Sequence, residues 1–347
     1  MTELERIGVD EVAVGREALA TSERMAVPDD AAIQPWLDRA RQAGIDDDLL
    51  ERTAGGHTGV VATLEQGAGP CIGLRVDLDA ISIRESDEDA HRPAAEGFRS
   101  EHDGYMHACG HDAHLAIALG TLEAVRESAF EGTLKLFFQP AEEISGGGKA
   151  MAESGHLDDV DYLFALHVGL GHPTGEIVAG VESPLAMAHL TATFEGASAH
   201  AGNAPNEGAN AMQAAAAAIQ NAYGIARHRD GATRVNVGRI EGGSASNVIA
   251  EAVTIDAEVR GETTALMTYA RTELERILYA AAELHDCDVT PRVISESPCV
   301  DSHPALRELI GNLAWDVDGV ERVIPTEEFG VSEDATYLMQ QVQAAGG

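Results

Sequence analysis

Apolar residues along this chain come in short runs bounded by polar clusters, and the rhythm of those runs changes once. Up to about residue 184, compact apolar runs alternate with stretches whose apolar positions recur at helical spacing. Cys71–Val76, Thr133–Phe138 and Tyr162–His167 predict strands, and Ala113–Arg126 predicts a helix. Such alternation predicts an α/β domain on a mostly parallel sheet with helices on both faces. In sheets of that kind ligands gather beyond the carboxyl ends of the strands. Asp77, Glu142, Glu143 and His167 all fall at or just past such ends.

From about Ala186 the pattern is different. His189–Glu195 reads as a strand and Asn206–Ala222 as an alanine-rich helix. Arg234–Ile240 and Ala252–Arg260 read as strands around a turn at Gly242-Gly243. A long helix over Glu262–His285 and a strand over Cys287–Ile294 follow. The order β-α-β-β-α-β predicts a ferredoxin-like α+β module. An α/β-type pattern resumes at about Pro298, so the module is expected as an insertion. Residues 1–185 and 298–347 then make one discontinuous domain, and residues 186–297 make the other.

Composition narrows the setting. A chain of 347 residues is long enough for two sizeable cores. It carries 58 Asp and Glu against 23 Lys and Arg, a formal net charge of −35, with the acids spread throughout. Such a field repels nucleic acid and anionic membrane, and neither is expected as a partner. It suits a salt-rich cytoplasm, where self-repulsion is screened. No apolar stretch has the length of a membrane span, and the acidic Met1–Glu5 start is unlike a signal peptide. Four cysteines predict a reducing, cytoplasmic setting without a disulfide framework.

The densest chemistry lies in His107-Ala108-Cys109-Gly110-His111-Asp112-Ala113-His114. Residues two apart in an extended loop point to one side, so Cys109 and His111 can grip one metal ion. Gln139-Pro140-Ala141-Glu142-Glu143 and Leu166-His167-Val168 each follow an apolar run directly. Thiolate, imidazole and paired carboxylate at successive strand ends predict a metal-hydrolase centre; a histidine-rich surface loop is the plainer alternative. Mixed ligands of this kind fit zinc or manganese, and the affinity order alone favours zinc. Cys71, Cys287 and Cys299 read as core residues. His57, His91, His102 and His156 lie among polar neighbours and read as solvated.

These residues resemble the dinuclear-metal amidohydrolase family that includes carboxypeptidases, aminoacylases and auxin-conjugate hydrolases, in the branch with a cysteine ligand. Further matches are Arg75-Val76-Asp77-Leu78-Asp79-Ala80, Ser198-Ala199-His200-Ala201, Gly243–Val248 and Ser332-Glu333-Asp334-Ala335. Segments Arg16–Asp29, Gly56–Val61 and Arg234–Gly238 bring the chain nearest to members acting on p-aminobenzoyl-glutamate. The resemblance implies a metal-dependent amidohydrolase of N-acyl amino acids, cleaving p-aminobenzoyl-glutamate to p-aminobenzoate and glutamate. Hippurate-like and auxin-like conjugates are the alternative substrates. It implies two divalent ions, Mn²⁺ first and Zn²⁺ as the alternative. Cys109 then matches a bridging ligand, and His111, Glu143 and His167 match terminal ligands. Glu142 matches the general base, which takes a proton from the attacking water and passes it to the leaving nitrogen. Neighbouring glutamates suit that division, because one must bind metal while the other stays free to shuttle protons. Asp77 matches an acid supporting the metal cluster, with His107 and His114 in orienting roles.

Residues 186–297 correspond to the family's lid and dimerisation domain. His200 matches a histidine that reaches a partner's active site and stabilises the developing oxyanion. Asn247 and Arg260 match residues that hold the substrate carboxylate. A dimer through this region, homomeric or with a related subunit, is therefore expected. The family also has a final histidine ligand in a Gly-His-His segment, and none follows Ser332-Glu333-Asp334 as far as Gly347. The chain likewise starts partway into the family's first segment. A second expectation is therefore a truncated, catalytically impaired member acting as a binding or regulatory subunit.

Overall fold

Strand β1 (Glu11–Val14), β2 (Val60–Gln66), β3 (Cys71–Asp77), β4 (Gly132–Gln139) and β5 (Tyr162–Ala165) form one sheet in the order β1-β2-β4-β3-β5. The structure is a computed structural model describing all 347 residues, and it falls into two compact units. This sheet belongs to the first, Met1–Ile177 with Asp334–Gly347. Pairings β3–β4 and β3–β5 are parallel, but β1–β2 and β2–β4 are antiparallel. β2 therefore runs against the other four strands, and the expected mostly parallel sheet carries this one reversed strand. Residues 67–70 between β2 and β3 are too few for a crossover, which needs a dozen or more, so those strands run in opposite directions.

Both faces of this sheet are covered, as the near-continuous apolar runs of its strands require. On one face Leu64, Leu74, Val76, Leu136 and Phe138 pack against Ala118 and Leu122 of helix α1 (His111–Glu127). On the other, Val61, Cys71 and Phe137 meet Met151, Leu157, Leu338 and Val342. His57 is not solvated but buried, at 2% exposure. Its Nδ1 donates to the Ala54 carbonyl at 2.8 Å, its Nε2 lies 3.1 Å from the Thr21 hydroxyl, and Arg24 lies alongside. Burial lowers its pKa, and the Arg24 charge adds to that.

The second unit spans Val178–Glu333. Strand β6 (Ala186–Glu195), helix α2 (Ala211–Ala222), β7 (Thr233–Gly242), β8 (Ala252–Gly261), helix α3 (Thr264–Leu284) and β9 (Asp288–Ser297) follow in that order. The sheet runs β9-β6-β8-β7 with every neighbour antiparallel, the arrangement of a ferredoxin-like module. Leu190, Phe194, Ile255 and Val259 share a core with Leu274 and Leu278 of α3 and with Ala214, Ala215 and Ala218 of α2. Small alanines let α2 approach closely. Helix α2 starts at Asn210, whose side chain accepts from Met212 N at 3.0 Å, so it begins later than the alanine-rich pattern suggests. The sheet's other face is polar.

Residues 298–333, expected with the metal-binding domain, fall in this second unit. Glu327–Glu328 pair in parallel with Val181–Glu182, and Ser302 N donates to the Val181 carbonyl at 3.0 Å. Segments from either side of the ferredoxin-like module therefore hold each other.

Candidate metal centre

Each parallel strand of the first unit delivers one part of a polar cluster at its carboxyl end. Asp77 closes β3, Glu142 and Glu143 follow β4, and His167 follows β5. Cys109 and His111 arrive at the start of α1. The loop is tightly fitted there: Gly110 has φ +84°, and a Cβ on it would lie 2.7 Å from Val168 Cγ2. Only glycine lets the cysteine-bearing loop sit against the His167 segment.

Hydrogen bonds settle which way the ring nitrogens face. His111 Nδ1 donates to the Asp79 carbonyl at 3.0 Å, and His167 Nδ1 to the Val168 carbonyl at 2.8 Å. Both rings therefore offer the Nε2 lone pair to the cluster. His167 Nε2 lies 3.4 Å from Cys109 Sγ. His111 Nε2 lies 3.7 Å from Glu143 Oε1, 3.8 Å from Glu142 Oε2 and 3.7 Å from Asp77 Oδ2. His114 is different: its Nδ1 hydrogen-bonds Asp77 and its Nε2 accepts from Val168 N at 2.9 Å, so both nitrogens are spent on positioning. His107 is exposed.

Glu142 and Glu143 sit on a strained turn. Ala141 at φ 57° and Ser145 at φ 50° flank it, in a region non-glycine residues rarely adopt. Asp79 holds the turn, its carboxylate accepting from Glu142 N and Glu143 N at 3.1 Å each. Behind the cluster, Arg75 donates to Asp77 at 2.9 Å and to Gln139 at 2.9 Å, and it approaches Asp334 at 3.4 Å. Asp334 in turn accepts from Gly148 N at 2.8 Å. Sequence reasoning named Asp77 and read Asp334 as a residue that stabilises its own loop, but gave Arg75, Asp79 and Gln139 no role; the alternation Arg75-x-Asp77-x-Asp79 was the available signal.

Electrostatics favour a cation. Burial pushes the Asp77 carboxyl up, but the His114 hydrogen bond and the Arg75 charge outweigh it and bring it to about 2. Burial, then the Glu143 and Glu142 charges, push the Cys109 thiol up to about 12. Two buried atoms, His111 Nε2 and Glu143 Oε1, have no hydrogen-bond partner. Acceptors without partners that converge beside a thiol suit a bound cation. Within the first unit three sets offer ligand atoms within 4.8 Å of one another: Cys109, His111 and His167; His111, Glu142 and Glu143; and Asp77, His111 and His114. The residues fit a metal ion, and a cation is what turns this thiol into a thiolate.

The remaining candidates lie in the second unit. His200 bridges Val248, and Asn247 O accepts from Ala201 N at 3.0 Å, which brings the two side by side. His200 Nδ1 accepts from Gly202 N at 3.2 Å and Asn203 N at 3.1 Å, leaving Nε2–H as a donor on an exposed ring. Arg260 stands on the polar face of β8, at the strand end away from Asn247.

Comparison with known proteins agrees with this chemistry. The chain is 39% identical to one of the subunits of p-aminobenzoyl-glutamate hydrolase from Escherichia coli (strain K12), over 99% of this chain and 80% of that protein. It is 38% identical to indole-3-acetyl-aspartic acid hydrolase of Enterobacter agglomerans, with the same coverage of each. The crystal structure of the aminobenzoyl-glutamate utilization protein from Klebsiella pneumoniae superposes with a TM-score of 0.86 at 33% identity. That match covers 100% of this chain and 82% of that one. The model of peptidase family M20/M25/M40 matches residues 73–347, from the strand ending in Asp77 through every cluster residue described above. On these matches the chain belongs to peptidase family M20/M25/M40 and is a hydrolase of amide bonds.

Proposed function

We propose that this chain cleaves the amide bond of N-acyl amino acids, with p-aminobenzoyl-glutamate as its substrate and p-aminobenzoate and glutamate as products. The observation that carries the metal-dependent part of this reading is the pair of orphaned atoms, His111 Nε2 and Glu143 Oε1, 3.7 Å apart and buried. Names of relatives support the substrate, since one carries a glutamate conjugate and another an aspartate conjugate. Cys109, His111, Glu143 and His167 would hold a pair of divalent ions, Mn²⁺ or alternatively Zn²⁺. Bound there, such ions polarise the amide carbonyl and make water acidic enough to attack near neutral pH. Glu142, fixed through its backbone to Asp79, accepts the proton of the attacking water and delivers it to the leaving nitrogen. The free cysteines suit a reducing cytoplasm, and the acidic surface suits a salty one.

Activity of the purified protein against a panel of acyl-glutamates, acyl-aspartates and acyl-alanines tests the substrate. Cleavage of none of them after loading with Mn²⁺ or Zn²⁺ overturns the proposal. Metal affinity provides a separate check. Cys109 must release its proton to bind, so affinity rises with pH, by roughly tenfold per unit for that one proton. In chelator competition between about pH 6 and 8, Cys109→Ser should lower the slope of log affinity against pH by about one. An unchanged slope removes Cys109 from the ligand set.

Assembly follows from the dimensions of β8. Its ten residues span roughly 30 Å, with Asn247 and His200 beyond one end and Arg260 near the other. No small substrate reaches both ends in one chain, so if both act on substrate they come from different chains. We therefore place His200 in a partner's active site, in a homodimer or with a related subunit. Mixing His200→Ala with Glu142→Gln protein, each nearly inactive, should restore activity in mixed dimers. No recovery where exchange of chains is independently demonstrated makes His200 a local loop residue.

A further inference from the structure

The polar face of the ferredoxin-like sheet carries two arginines side by side. Strands β7 and β8 pair so that Arg234 stands opposite Arg260 and Asn236 opposite Glu258; an irregularity at Gly238 sets that register. Directly opposite residues of an antiparallel pair share a face. Val235 and Val237 pack into the helix-covered core and Val259 is buried, so Arg234 and Arg260 both stand on the open side. Like charges placed opposite each other destabilise a sheet.

Only one of the two cations is compensated within the protein. Glu258 accepts from Arg260 Nε at 2.6 Å and from Nη2 at 3.1 Å, so one edge of that guanidinium is filled. His189, opposite Glu258 on β6, donates from Nε2 to Glu258 at 2.8 Å, and its Nδ1 lies 3.2 Å from the Ser295 hydroxyl. Arg260 is thereby held rigidly, with its Nη1 end left over. Arg234 pairs with no carboxylate; its side chain reaches only the Thr233 carbonyl, at 3.2 Å. Standing opposite Arg260 and bonded to no carboxylate, Arg234 offers its charge to an arriving anion.

We propose that Arg260 and Arg234 form a dicarboxylate site: Arg260 takes the α-carboxylate of the amino-acid half of the substrate, and Arg234 takes its side-chain carboxylate. The enzyme then selects conjugates of glutamate and aspartate over those of neutral amino acids. Glu258, His189 and Ser295 act as positioning residues for Arg260. Cβ atoms of opposite residues lie about 5 Å apart, so two guanidinium groups on flexible stems can grip carboxylates two or three carbons apart. The inference rests on the chain being an N-acyl amino acid hydrolase, but the arginine pair itself lies wholly within the second unit.

The test compares p-aminobenzoyl-glutamate with p-aminobenzoyl-glutamine, which differ only in the second carboxylate. Wild-type enzyme should favour the glutamate conjugate in kcat/KM on the order of 10- to 100-fold, the worth of one charged hydrogen-bonded contact. Arg234→Gln should abolish that preference through KM, leaving the glutamine conjugate within about twofold of its original value. Arg260→Gln should weaken both conjugates together. Equal loss on both conjugates in Arg234→Gln, or no loss on either, overturns the assignment. Calorimetric binding of the two conjugates to Glu142→Gln, with and without Arg234→Gln, reads the site independently of turnover. If wild-type protein cleaves neither conjugate while Glu142→Gln binds the glutamate conjugate selectively and loses that selectivity with Arg234, the hydrolase reading falls and the dicarboxylate site stands.

Discussion

Glu142→Gln is expected to keep its metal and to lose at least roughly 10²-fold in kcat. The side chains are nearly isosteric, and the turn that carries residue 142 is held by backbone hydrogen bonds to Asp79, which the substitution does not touch. What disappears is a carboxylate able to take a proton and give it back, since an amide does neither near neutral pH. Glu143→Gln should behave differently. Glu143 Oε1 is the buried oxygen with no hydrogen-bond partner, facing His111 Nε2, so its charge is the one a cation needs. Replacing it should lower metal occupancy, read by elemental analysis, with activity falling in proportion and returning at higher metal concentration. Equal metal loss in both variants, or near-normal turnover in Glu142→Gln, removes the division of labour between these neighbours.

The second large effect is on stability. Arg75 is 1% exposed and lies against two carboxylates, Asp77 and Asp334, each 0% exposed. Arg75→Met preserves much of the volume but strands both acids in the core. Removing one partner of a buried charge network costs about 3–5 kcal/mol, because the remaining charges stay desolvated. Urea unfolding of metal-free protein at neutral pH should show the midpoint falling accordingly. A loss under about 1 kcal/mol means that water or rearrangement already serves these carboxylates. The pH dependence has a definite sign. Asp77 is held at about 2, below its ordinary value, so its contribution is fully present above the unfolded pKa of about 4. It is lost as pH falls from there toward 2. Arg75→Met should lessen this acid sensitivity, because the cation that depresses Asp77 is gone.

The local pattern of the chain was enough to locate most elements and the ligand types. Compact apolar runs marked β3, β4 and β5, helical spacing marked α1 and α3, and the polar residues at their ends announced a metal centre, because these signals lie within a few residues of one another. Long-range pairing has no such signal. That β4 slips between β2 and β3, which are neighbours in the chain, depends on contacts between distant strands. That Arg75 meets Asp334 across 259 positions of chain, and that His57 is buried against Thr21 and Arg24, is equally invisible to periodicity. The register that sets Arg234 against Arg260 turns on one irregularity in β7, which no alternation rule anticipates. Sequence by itself determined which side chains could do chemistry and roughly where the backbone would carry them. Only the tertiary structure decided which of them face each other, because burial and charge pairing are settled by packing between segments far apart in the chain.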